Sequence, residues 1–192
     1  MSFIYTEHPK RLLCIILIIL LLLGGGGIAA YRYIFADFQL RSNEIISADG
    51  NYSMRVPSGW KETEANGDDV LISAQTANGN LYARLSVDRD GTAAGATIED
   101  YLNSCIQQVA DHSDDPLVQV TTVTPQQSTM GDNIGYYYEL DTVKSGMPIH
   151  FWSFVFTSNN GYMHVDVAAE GKEHAEKTET AHNIMSSVHA LK

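Results

Sequence analysis

The first pattern in the chain is an unbroken apolar run. From Leu12 to Leu23 every residue is apolar, eleven of them Leu or Ile and the other Cys14, and no charge follows until Arg32. At about −0.3 to −0.6 kcal/mol per Leu or Ile, the run favours bilayer insertion by about 3 to 7 kcal/mol. That outweighs the interruption by Gly24 to Gly27. Leu12 to Ala30 makes a helix of about 28 Å, close to the thickness of the hydrocarbon core. The pattern therefore predicts a short cytoplasmic tail over 1–11, a transmembrane helix over 12–31, a juxtamembrane linker over 32–44 and one domain over 45–192.

Beyond the linker the pattern becomes that of an α+β domain. Asn51 to Val56 alternates and runs into Pro57-Ser-Gly-Trp60, a strand entering a turn. Val70 to Gln75 and Leu81 to Val87 flank Asn78-Gly79, a hairpin signal. Thr97-x-x-Asp100 resembles a capping box, and Ile98, Tyr101, Leu102, Cys105, Ile106 and Val109 then fall on one helical face. Four more strands read at Val118–Val123, Ile134–Thr142, Ile149–Phe156 and Tyr162–Ala168, with turns around Lys144-Ser-Gly-Met and Asn159-Asn160-Gly161. Lys172 to Ala190 reads as a closing helix with Ala181, Ile184, Met185 and Val188 inward.

In these elements the chain resembles the PsbP-like fold, on Tyr52-Ser-Met-Arg-Val-Pro57-Ser-Gly-Trp60, the helix opening Thr97-Ile-Glu-Asp-Tyr, and the closing helix with Ile184-Met-Ser-Ser. That fold is named after an extrinsic photosystem II subunit. A Ran-binding nuclear import factor shares it, as do bacterial exported or anchored proteins of unknown role. The resemblance covers residues 45 to 190 and implies an antiparallel sheet flanked by two helices, an αβα sandwich, with a binding or assembly role. It carries over no catalytic residue.

Composition narrows the partners. Residues 42–192 hold 8 Lys+Arg against 21 Asp+Glu, a net charge of −13. Nucleic-acid phosphates and anionic headgroups are repelled by such a domain, so nucleic acid is excluded as a partner. The cysteines, Cys14 in the apolar run and Cys105 on the helix stripe, do not pair, and a domain of this length needs no disulfide. A basic pair before the run (Lys10, Arg11) and a small-x-small end (Gly27-Ile28-Ala29) also describe a cleavable signal peptide. The length of the run and Tyr31-Arg32-Tyr33-Ile34-Phe35 favour a retained anchor. Either way the domain is placed outside the cytoplasm: at the cell membrane if the anchor is kept, secreted if it is cleaved.

Candidate chemistry comes from pairing the last strands on paper. With turns centred near Ser145 and between Asn159 and Asn160, an apolar face holds Tyr136, Tyr138, Leu140, Trp152, Phe154, Phe156, Met163, Val165 and Val167. The opposite, mixed face holds Tyr137, Glu139, Asp141, Ile149, Phe151, Ser153, Val155, His164 and Asp166. Tyr137, Phe151, His164 and Asp166 make the candidate binding surface, mixing aromatic area with a titratable pair. Ser153, His164 and Asp166 do not suit a catalytic relay, since side chains at i and i+2 of a strand diverge and no nucleophile elbow is present. Glu139, His164 and Asp166 could ligate a metal, but hydrogen bonding under the first helix is the plainer use. His174, His182 and His189 lack the i, i+4 spacing of a zinc pair, and Asp111, Asp114, Asp115 and His112 lack a calcium loop. The reading is a non-enzymatic binding or assembly domain with a protein partner, expected to need no cofactor or metal. The alternative is an exported small-ligand binder or hydrolase using the mixed face.

Overall fold

The computed structural model describes residues 38, 41–90, 95–111, 113, 124–171 and 174–191. Among the described residues, ten strands and two helices follow in chain order: β1 (Ser42–Ile46), β2 (Tyr52–Pro57), β3 (Lys61–Glu62), β4 (Val70–Gln75), β5 (Leu81–Asp88), α1 (Ile98–Asp111), β6 (Gln126–Met130), β7 (Asn133–Lys144), β8 (Met147–Ser158), β9 (Gly161–Glu170), α2 (Thr178–Ser186) and β10 (His189–Ala190). A single 3₁₀ turn, Ala175–Lys177, leads into α2. The large sheet runs β3-β4-β5-β9-β8-β7-β6 and the small one β1-β2-β10, all neighbours antiparallel. The fold is thus α+β with antiparallel sheets and two helices. The apolar run and the expected strand over 118–123 lie outside the described residues. Among the described residues no helix is long and apolar enough to cross a membrane.

The capping box at α1 is formed as its sequence suggests. Asp100 N–H donates to Thr97 Oγ1 at 3.2 Å and Thr97 N–H to Asp100 Oδ2 at 2.9 Å, which satisfies N-terminal amides that the helix itself leaves without partners. The apolar stripe from Ile98 to Val109 then packs on Tyr138, Leu140 and Val155 of the sheet. Cys105 is a buried, free member of that stripe.

Three sequence expectations change. The closing helix is shorter than Lys172–Ala190: Ser187 Oγ donates to the Ile184 carbonyl at 2.6 Å and accepts from Arg55 N–H at 2.9 Å, which ends α2 and frees His189-Ala190 to pair with β2. Ser42, Asn43 and Glu44, assigned to the linker, belong to β1, whose edge is held by an Arg55–Glu44 ion pair at 3.3 Å. Most consequentially, the β7–β8 turn consists of two residues, Ser145 (φ 52°) and Gly146 (φ 75°), so Lys144 pairs with Met147. Both residues in the left-handed region make the turn that matches strand twist. The centre of pairing thereby moves from Ser145 to the Ser145–Gly146 bond, and β7 turns over relative to β8.

Tyr136, Tyr138 and Leu140 therefore join Phe151, Ser153, Val155, His164 and Asp166 beneath α1. Tyr137, Glu139 and Asp141 share the other face with His150, Trp152, Phe154, Val165 and Val167. The β8–β9 register is the expected one, with Ser153 opposite Asp166.

Candidate functional site

Beneath α1, β5, β7, β8 and β9 bring together side chains that the sequence scatters from Tyr82 to Asp166. Asp166 is 2% exposed, and its carboxylate receives three donors. Arg84 Nη2 reaches Oδ2 at 3.1 Å, while His164 Nε2 and Ser153 Oγ reach Oδ1 at 2.8 and 2.7 Å. Tyr138 Oη lies 3.0 Å from the same His164 nitrogen. His164 and Asp166, two residues apart on one face of β9, meet here, contrary to their expected divergence.

Burial alone would lower the His164 pKa, but the Asp166 carboxylate, with Cys105 as a further partner, pushes it up to about 10. Burial likewise works against ionising Asp166, yet His164 foremost, then Arg84 and Ser153, hold its carboxyl well below the usual range. The pair is therefore an imidazolium and a carboxylate near neutral pH, and with Arg84 the cluster carries one net positive charge. Burial first, and the Asp166 charge after it, pushes the neighbouring Tyr82 phenol up, so it stays neutral.

Above this cluster lies a cleft of about 260 Å³, roofed by Cys105, Gln108 and Val109 of α1. Its walls include Tyr82, Ile149 and Phe151, and its polar groups include Arg84, Lys144 and the buried Thr142 hydroxyl, which has no hydrogen-bond partner. Arg84 is 45% exposed, so its guanidinium faces both Asp166 and the opening.

Of the four residues expected to form the binding surface, Phe151, His164 and Asp166 line this cleft. Tyr137 does not: the turned-over β7 places it on the opposite face, where its hydroxyl lies 3.0 Å from His182 Nε2 of α2. Glu139, weighed with His164 and Asp166 as a metal ligand, moves to that face as well. Arg84 and Thr142 went unnoticed in the sequence; an arginine in the alternating strand Leu81–Asp88 was the one available signal. His189 sits on β10 against Ser53, and His174 precedes the 3₁₀ turn. Asp111 ends α1, whereas His112, Asp114 and Asp115 lie outside the described residues.

The arrangement suits binding better than catalysis. A serine relay needs the imidazole between hydroxyl and carboxylate. Here the carboxylate is in the middle, the Ser153 hydroxyl donates to it, and His164 is already protonated.

No protein-family model matches the chain, and no curated protein matches it in sequence. Solved structures do. Cyanobacterial PsbP (CyanoP) from Synechocystis aligns over 79% of this chain and 93% of its own, with a TM-score of 0.54 at 13% identity. The Saccharomyces cerevisiae Ran-binding protein Mog1p aligns over 79% and 96%, with a TM-score of 0.53 at 7% identity. A Bacteroides thetaiotaomicron protein aligns with a TM-score of 0.53 at 14% identity, over 79% of this chain but only 49% of its own length, so the chain spans about half of it. The domain has the PsbP-like fold that its sequence resembles.

Proposed function

We propose that the chain is a membrane-anchored, extracytoplasmic binding domain, without catalytic activity, that takes an anionic group of a protein partner into the cleft beneath α1. The observation that carries this is the Arg84 guanidinium, half-exposed at the opening of a cleft with apolar walls and backed by a buried pair that neutralises itself. A fork of donors in a partly desolvated site matches a carboxylate. The cleft is below the usual size of a cofactor or drug-sized pocket, so it suits one side chain or a chain terminus. Neighbours of the same fold include a Ran-binding protein, which supports a binding role. The small-ligand alternative rests on the same charged head and apolar walls, and differs in whether a free carboxylate suffices.

Arg84→Met keeps the aliphatic stem and leaves Asp166 paired with His164. Losing one charge-assisted contact of about 1.5–3 kcal/mol weakens partner capture by the intact, detergent-solubilised protein roughly ten- to a hundredfold, while the donor lost from Asp166 Oδ2 costs about 1–3 kcal/mol of stability and leaves the domain folded. Equal capture by the variant overturns the cleft as the binding site. Saturable binding of free N-acetylglutamate, with no captured protein, replaces the partner reading with the small-ligand one.

The anchor has its own test. Lys10 and Arg11 precede the apolar run and a polar linker follows it, so carbonate extraction leaves the protein in membranes and protease added to intact cells removes the domain. Digestion only after lysis reverses the orientation. A free domain with a new N-terminus near Ala30 makes the run a signal peptide.

A further inference from the structure

The face turned away from the cleft carries a second cluster that none of the binding chemistry uses. Glu139 and Asp141 of β7 stand beside His150 of β8, and His174 stacks on the His150 ring at 3.9 Å with an interplanar angle of 5°. We propose that Glu139, His150 and His174 bind a divalent transition-metal ion of the zinc class, with Asp141 orienting His150.

His150 is 5% exposed, and its Nδ1 lies 2.8 Å from Asp141 Oδ1. A carboxylate only accepts, so Nδ1 carries a proton, and in the neutral ring Nε2 carries the lone pair. Nε2 is buried and has no hydrogen-bond partner, yet Glu139 Oε2 stands 3.3 Å away. Only a second ring proton or a metal ion makes such a contact favourable, and Nε2 and Oε2 lack the geometry of a hydrogen bond, which leaves the metal. With metal–nitrogen and metal–oxygen distances of about 2.0–2.2 Å, a tetrahedral zinc site has ligand-to-ligand edges of about 3.3–3.5 Å, which is the separation found.

The supporting groups fit the same reading. Glu139 Oε1 accepts the Tyr137 hydroxyl, itself 3.0 Å from His182 Nε2, so the carboxylate is held with Oε2 toward His150. Asp141 accepting from the far nitrogen of a ligating histidine is the usual outer contact at metal sites, where it fixes tautomer and ring orientation. His174 Nδ1 is the second buried ring nitrogen without a partner. One nitrogen from each ring and an Asp141 oxygen lie within 4.8 Å of one another, whereas Glu139 reaches both rings only once that of His174 turns. Stacked rings present parallel lone pairs, so coordination turns the His174 ring toward His150, a side-chain rotation that leaves the strands in place. Two imidazoles and a carboxylate select zinc, nickel, cobalt or copper over calcium or magnesium. Glu139 at 29% and Asp141 at 58% exposed open the site to solvent, which leaves a fourth position for water.

Trp152 provides a built-in probe, its ring centroid 4.5 Å from that of His150 and 6.0 Å from that of His174. The intact protein, without an affinity tag and stripped with chelator, is titrated with cobalt(II) while tryptophan emission is followed, and with zinc(II) by calorimetry. Saturable quenching and one zinc per chain are expected. His174→Ala and Glu139→Gln, both at half-buried positions, weaken zinc binding at least tenfold, and Asp141→Asn weakens it about tenfold without removing a ligand. Absence of saturable binding, or zinc affinity unchanged in both His174→Ala and Asp141→Asn, overturns the site. Binding lost in the Arg84→Met protein as well would place the ion in the cleft and overturn it equally.

Discussion

Asp166→Asn destabilises the domain by about 3–5 kcal/mol and removes a pH dependence that the native protein shows on its alkaline side. Asparagine keeps the shape, but its one acceptor oxygen cannot serve donors on both sides, and it strands the imidazolium of His164 in a site where both residues are almost wholly buried. Breaking a buried pair by removing one partner costs that much because the charge left behind is uncompensated. In the native protein His164 titrates near 10 instead of the ordinary imidazole value of 6.5. A group whose folded pKa is raised contributes stability that is fully present below the unfolded value and is lost as pH rises through the folded one. Native stability therefore falls between about pH 6.5 and about pH 10. Asp166, held low, contributes the complementary limb: its share is present above the ordinary carboxylate range and is lost on acidification. In Asp166→Asn burial dominates His164 and lowers its pKa, so the alkaline slope vanishes and His164 costs stability as pH falls. Urea denaturation at a series of pH values reads both quantities. A variant within about 1 kcal/mol of native, with the same slope, would show that the pair is not what holds this face together.

How far this cluster could be seen in the sequence depended on one turn. His164, Asp166 and Ser153 were legible because Asn159-Asn160 fixes the β8–β9 register, and α1 was legible because a capping box and an apolar stripe agree. The β7 register was not, because the turn places Ser145, a residue with no preference for positive φ, beside Gly146. A slip of one residue inverts every side chain of a strand. It hid Tyr138 from His164 and hid Glu139 and Asp141 from His150. His150 went unremarked as a lone histidine in an apolar strand, and His174 lies 24 positions beyond it. A ligand set assembled across strands in this way has no spacing signature, which is why the sequence points to a domain without metal. β1 and β10 escaped notice for a different reason: each is short, and each pairs only with β2.

Gly131→Ala separates the domain's two ways of needing glycine. The β6–β7 hairpin closes through Gly131 and Asp132, with Met130 opposite Asn133. Gly131 has φ 59°, while Asp132 is not in the left-handed region. That combination puts glycine at the first central position of the turn, where alanine is strained by about 1–2 kcal/mol. Gly131 also faces the end of α2, and a Cβ there would collide with the Ser186 carbonyl oxygen. The hairpin tip is docked at that point, since Asn133 Nδ2 donates to the Val188 carbonyl at 2.8 Å and Ser186 Oγ reaches Met130 Sδ at 3.8 Å. The clash adds about 1–3 kcal/mol because backbone, not a flexible side chain, must yield. Gly146→Ala is the control: its φ is 75°, but nothing lies within 4 Å of a Cβ built there, so only the conformational cost applies. Gly131→Ala is therefore expected to lose roughly 2–5 kcal/mol, against about 1–2 for Gly146→Ala. Amide exchange should quicken at Val188 to Ala190 in Gly131→Ala alone, because displacing the hairpin tip pulls on the segment that carries β10. Equal melting temperatures for the two variants would mean that the hairpin tip and α2 are not packed as described.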